Sequence, residues 1–60
     1  MTHPTPVLTV AALATRWQCS RRAVLDKIHR GELVAFRIGR AYRIGLAVVE
    51  QYELAGAVAA

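Results

Sequence analysis

Hydrophobic positions in this chain follow two rhythms. Val10, Leu13, Ala14 and Trp17 stand at i, i+3, i+4 and i+7, the spacing that lines one face of a helix. Thr9 just precedes them and suits an N-cap, because its side-chain oxygen can accept from an amide of the first turn. A first helix is therefore predicted over Val10–Trp17. Gln18 and Cys19 interrupt it, and Ser20 is the next N-cap. The second helix is predicted from Arg21 to Arg30, with Val24 and Ile28 buried and Cys19 packed beside them as a small hydrophobe. Gly31 should end it in the left-handed conformation. Two short helices joined this tightly cannot continue as one rod, and they match a helix-turn-helix pattern.

The period then shortens to two. Phe36 and Ile38 alternate with Arg37, and Tyr42 and Ile44 alternate with Arg43, as in a hairpin. A three-residue loop of Gly39, Arg40 and Ala41 is expected. It pairs Ile38 with Tyr42 and Phe36 with Ile44 on one face, and sets Arg37 opposite Arg43 on the other. A two-residue loop would place arginine across from tyrosine and mix the faces. Like charges across a ladder repel; a polyanion against that face would remove the penalty, and splaying into water would reduce it. After Gly45, the residues Val48, Val49 and Tyr52 predict a third helix over Leu46–Leu54 that closes the core. The expected class is a small α+β fold with three short helices and a two-stranded β-hairpin. Residues 1–8, with Pro4 and Pro6, read as an extended lead-in, 9–54 as the domain, and 55–60 as a frayed end.

Size narrows the functional classes. Sixty residues make one domain with a small core and little room for an enclosed pocket. Cys19 is the only cysteine, so neither an internal disulfide nor a cysteine metal cluster is expected, and a reduced cytoplasm fits. Asp26 and His29 make at most half a metal site, Ser20 reads as a cap, and no glycine-rich phosphate loop occurs. An enzyme, a cofactor and a small-molecule ligand are therefore not expected. No apolar run approaches the ~20 residues of a spanning helix. The N-terminus has no basic segment leading into an apolar core, so neither a membrane location nor a secretory signal is expected.

Charge points to the partner. Eight Lys and Arg face four Asp and Glu, a formal net charge of +4. All but Lys27 of the basic residues are arginine, whose planar guanidinium bonds two acceptors at once. That balance suits nucleic acid, although by itself it also suits a membrane surface. On the second helix, Arg22, Asp26 and His29 form a stripe almost opposite Val24 and Ile28, with Leu25 at its border. In helix-turn-helix proteins this helix enters the major groove, N-terminal residues nearest the bases. Arg22 is then placed for a guanine edge, and Asp26 for a cytosine amine or for holding Arg22. Arg21 suits phosphate, and His29 and Arg30 reach phosphate or base at the far end. The plainer account is a solvated face with an Arg22–Asp26 pair worth ~0.3 kcal/mol. Arg40 at the hairpin tip, with Arg37 and Arg43 on its outer face, suits an adjacent minor groove or its phosphates; a solvated turn protecting an edge strand is the alternative.

The ordered series Leu8-Thr9-Val10, Cys19-Ser20-Arg21-Arg22-Ala23-Val24, Arg30-Gly31-Glu32-Leu33, Ala35-Phe36-Arg37-Ile38-Gly39-Arg40 and Tyr42-Arg43-Ile44 resembles the excisionase family of winged helix-turn-helix domains. These are relatives of the MerR DNA-binding head, and the resemblance spans about residues 8–53. It implies a recognition helix over Ser20 to Arg30 and a wing over Val34 to Ile44. By position, Arg22, Ala23, Asp26 and His29 match base-reading or groove positions, and Arg37, Arg40 and Arg43 match wing and backbone contacts. The chain departs from the family at Gln18, where glycine is common, and at Arg16, where an apolar residue is common. Leu25, Asp26 and Gly45 also differ from commoner aromatic, basic and proline residues. The resemblance implies a cytoplasmic DNA-binding protein of a bacterial host or its bacteriophage, acting as a recombination directionality factor. Such a factor binds repeated sites beside a phage attachment site, bends double-stranded DNA and promotes prophage excision. Its partners would be integrase and further copies of itself. A small transcriptional regulator of the same family is the alternative, followed by a protein-interaction adaptor.

Overall fold

In the computed structural model residues 6–56 are described. They form β1 (Val7–Thr9), α1 (Val10–Trp17), α2 (Arg21–His29), β2 (Phe36–Ile38), β3 (Ala41–Gly45) and α3 (Leu46–Leu54). The first two helices begin and end for local reasons. Thr9 Oγ1 accepts from the Ala12 amide at 2.9 Å, and Ser20 Oγ accepts from the Ala23 amide at 3.0 Å. Both are side-chain N-caps that satisfy an otherwise orphaned donor.

The two helices also stop alike. At the end of α1 the amides of Gln18 and Cys19 donate to the carbonyls of Thr15 and Ala14 at 3.2 and 2.9 Å. At the end of α2 the amides of Gly31 and Glu32 donate to Ile28 and Lys27 at 3.1 and 2.9 Å. Each is the Schellman arrangement, which needs one left-handed residue. Gly31 supplies it at φ 78°, as expected, and Gln18 supplies it at φ 54° without the freedom of glycine. Arg30 is the cap of α2 and not part of the helix proper.

Two sequence expectations are corrected here. First, the sheet has three antiparallel strands in the order β1-β3-β2, not two. Val7 and Leu8, read as the end of an unstructured lead-in, pair with Gly45 and Ile44. The Leu46 amide also donates to the Pro6 carbonyl at 3.0 Å. Proline is tolerated there because an edge position needs no donor from it. Residues 1–5 and 57–60 of the expected tails lie outside the described residues; Ala55 and Gly56, read as frayed, cap α3 through bonds to Gln51 and Glu53 carbonyls.

Second, the hairpin turn has two residues. Phe36 faces Arg43, Arg37 faces Tyr42 and Ile38 faces Ala41, one residue out of the expected register. Gly39 is at φ 63° and Arg40 is not in the left-handed region, the glycine-first pattern of a type II′ turn that matches strand twist. A slip of one residue moves every side chain of a strand to the other face. Phe36 and Ile38 are therefore 46% and 59% exposed, instead of lining the core with Tyr42 and Ile44. Arg37 and Arg43, expected opposite each other on the outer face, lie instead on opposite faces of the hairpin, so their repulsion does not arise.

The core draws on every helix, on β3 and on one connector. Leu13 and Ala14 of α1, Val24 of α2, Leu33, Ile44 of β3 and Val49 of α3 are buried, with Leu8, Trp17, Ile28 and Tyr52 among the side chains packed around them. Cys19, expected beside Val24, is exposed. It is used to reverse the chain after α1, and Leu33 joins Val24 in the core. Trp17 stacks on Tyr52 with ring centroids 5.3 Å apart.

Candidate nucleic-acid interface

The N-terminal half of α2 faces the hairpin across an open groove. Arg21 and Leu25 border it from α2, Arg40, Ala41, Tyr42 and Arg43 from the hairpin, and Thr9, Val10 and Ala11 from the start of α1. The groove exists because β1 turns into α1 at Val10. β1 pairs only with residues 43–45, so no strand flanks Ala41 and Tyr42 on that side. The tip arginine and the first-turn arginine of α2 thus border one concavity.

Tyr42 ties the two walls together. The His29 ring meets it edge-on at 6.0 Å between centroids, and the Arg37 guanidinium carbon lies 5.6 Å from its ring centre. The register that corrects the hairpin creates this contact, since Arg37 stands directly opposite Tyr42. A cation over an aromatic face is worth about 0.5–1 kcal/mol at exposed sites. Arg43 is half-buried and folds back, with Nη1 donating to the Tyr42 carbonyl at 3.0 Å.

The other expected site residues divide by surroundings. Arg22 and Asp26 are exposed on α2. The ion pairs among the described residues are Arg16–Glu53 at 2.7 Å and Arg30–Glu32 at 3.3 Å, so Arg22 and Asp26 do not hold each other. Arg30 already has a carboxylate beside it. Ala23 is half-buried beneath the cap of α2, and the Ser20 oxygen is engaged in that cap. Sequence reading missed Tyr42 and Val10 as groove walls. The signal was available for Tyr42, because glycine first in Gly39-Arg40 favours the two-residue turn.

A second cluster, not anticipated, stands between α1 and α3. Glu53 accepts from Arg16 Nε and Nη2 at 2.7 and 2.8 Å and from Trp17 Nε1 at 2.6 Å. Hydrogen bonds from Arg16 and then Trp17 hold the Glu53 carboxyl well below its usual value, at about 2. The same carboxylate raises Arg16. This pair ties α3 to α1. Among the described residues no three His, Cys, Asp or Glu side chains gather as a metal site, and no helix is long and apolar enough to cross a membrane.

No family model matches the chain, and no solved structure matches it. It is similar to two proteins from two strains of Mycobacterium tuberculosis, each named "Putative DNA-binding protein". Each is 42% identical over 40 residues, covering 67% of this chain and 51% of the relative. The chain therefore spans about half the length of these curated relatives. Its similarity is to proteins whose names state DNA binding.

Proposed function

We propose that this chain binds duplex DNA as a winged helix-turn-helix module, with α2 in the major groove and the β2–β3 hairpin as the wing. The observation that carries this reading is the shared groove, bordered by Arg21 of α2 and by Arg40 and Arg43 of the hairpin. Guanidinium groups from two elements then meet one duplex together. The names of the mycobacterial relatives point the same way. Arg22, exposed near the start of α2, would read a base edge, and the groove arginines Arg21, Arg40 and Arg43 would follow the backbone, with Arg37 reaching it from the other face of the hairpin. The role is binding and shaping DNA, with no catalysis of its own.

Within that role, the resemblance to excisionases favours an architectural factor that occupies repeated sites, bends the duplex and assists integrase. One short recognition helix buries little surface, so isolated sites are held weakly and neighbouring copies compensate. Arg22→Ala should weaken binding to a preferred site by ~1–3 kcal/mol and relax selectivity there. Arg40→Ala should weaken all sequences evenly and reduce the salt slope by about 1. Both are read by fluorescence anisotropy at several salt concentrations, and two unchanged affinities would remove the assignment. Footprinting across the DNA flanking the source locus separates tandem sites with bending from a single operator, which would favour the transcriptional regulator.

A further inference from the structure

We infer that the free edge of β2 takes up an extended segment of a partner protein as a fourth strand, and that this segment carries an Asp or Glu between two apolar residues. The helices pack on the face of the sheet that holds Leu8 and Ile44. Val7, Phe36 and Ile38 pair with Gly45, Arg43 and Ala41, which alternate with Ile44 and so stand on the opposite face. Val34, two residues before Phe36, is 71% exposed, while Ala35 between them packs against the core. An apolar stripe thus runs beside β2, the edge strand of the sheet. Such an edge is a template for another strand. Its backbone is ready for one. The two-residue turn makes Ile38 and Ala41 a hydrogen-bonded pair, and bonded and non-bonded pairs alternate along an antiparallel ladder. Arg37 and Tyr42 are therefore a non-bonded pair, and the Tyr42 carbonyl is accordingly left to accept from the Arg43 guanidinium. The N–H and C=O of Arg37 point the other way, to the free edge.

Charge selects the occupant. Arg37 is exposed and has no carboxylate partner among the described residues. A second copy that set its Ile38 against Phe36 would bring its own Arg37 opposite this one, and like charges across a ladder repel. A carboxylate at that place is attracted instead, with apolar neighbours on either side meeting Phe36 and Ile38. β3 lies between this edge and the groove, so the added strand leaves the groove open. Arg37 has donors enough for a carboxylate and a phosphate together.

The test titrates the full, isotopically labelled chain with a blocked heptapeptide that has valine on either side of a central glutamate and threonine elsewhere. The backbone amide resonances of 35–38 should shift saturably, and the Arg37 amide should exchange more slowly with solvent. Lysine at the centre of the peptide should weaken binding about fivefold, and methylation of the glutamate amide should abolish it. Arg37→Glu should reverse the preference between the two peptides. If that variant unfolds, Arg37→Gln replaces it and should bind both alike. Equal affinity of the parent for the glutamate and lysine peptides would overturn the inference. So would shifts confined to other residues, or none at the solubility limit of the peptide. Shifts of the 35–38 amides on concentrating the protein alone would make a second copy the occupant and overturn the assignment to a partner.

Discussion

Leu33 lies in no helix or strand, yet it is 1% exposed. The Schellman turn at Gly31 reverses the chain, and the Leu33 amide also donates to the Lys27 carbonyl at 3.3 Å, which sets the residue inward beneath α2. Leu33→Ala should cost about 2–5 kcal/mol, the range for an emptied core leucine. Since a domain this small rarely holds more than ~3–5 kcal/mol, the variant should be largely unfolded at room temperature; a cooperative urea transition close to that of the parent would contradict this. Glu53 acts differently, through charge. Its carboxyl titrates at about 2 in the fold against an ordinary 4.5, so the depressed group stabilises the fold above about 4.5 and loses that contribution as pH falls toward 2. The thermal midpoint should therefore drop through this window in the parent and drop less in Glu53→Gln, followed by circular dichroism. Parallel midpoint curves for the two proteins would show that the carboxylate contributes nothing to the fold.

At the scale of elements, the α1–α2 turn carries a strain that the α2 ending avoids. Gln18 adopts φ 54°, ψ 46°, where a side chain costs roughly 1–2 kcal/mol, whereas glycine is at ease. Gln18→Gly should stabilise the domain by about 0.5–1 kcal/mol, after the extra entropy that glycine loses on folding. An unchanged or lowered urea midpoint would mean that the glutamine side chain is worth as much as the strain. The helices were legible in the sequence because caps and i, i+3, i+4 spacing are local: Thr9, Ser20 and Gly31 act where they were expected. The hairpin was legible in existence and not in register. Phe36, Ile38, Tyr42 and Ile44 alternate equally well under two- or three-residue loops. The positive φ at Gly39 selects between them.

Across the whole molecule, the arginines divide into those already paired and those left open. Arg16 and Arg30 have carboxylate partners, while Arg21, Arg22, Arg37, Arg40 and Arg43 have none among the described residues. If only this second set neutralises phosphates, the logarithmic salt slope of DNA binding should be no steeper than about −4.5. Arg16→Gln should then lower the thermal midpoint by loosening α3 from α1 and leave the salt slope unaltered. A flatter slope in that variant would place Arg16 on the DNA and change the orientation proposed here.

By itself the sequence determined three helices, the N-caps of the first two and the glycine stop of the second, a basic hairpin and an arginine-rich second helix, because each depends on neighbours within a few residues along the chain. Tertiary structure decided what depends on distant partners. Leu8 found Ile44 and made a third strand, Glu53 found Arg16 and Trp17, and Tyr42 came between His29 and Arg37. Long-range pairing leaves little mark on local periodicity, since a half-buried tyrosine or a surface glutamate reads the same whichever element it meets. The groove belongs to this second class: its arginines were visible in the chain, but its apolar lining arose only when α1, α2 and the hairpin packed together.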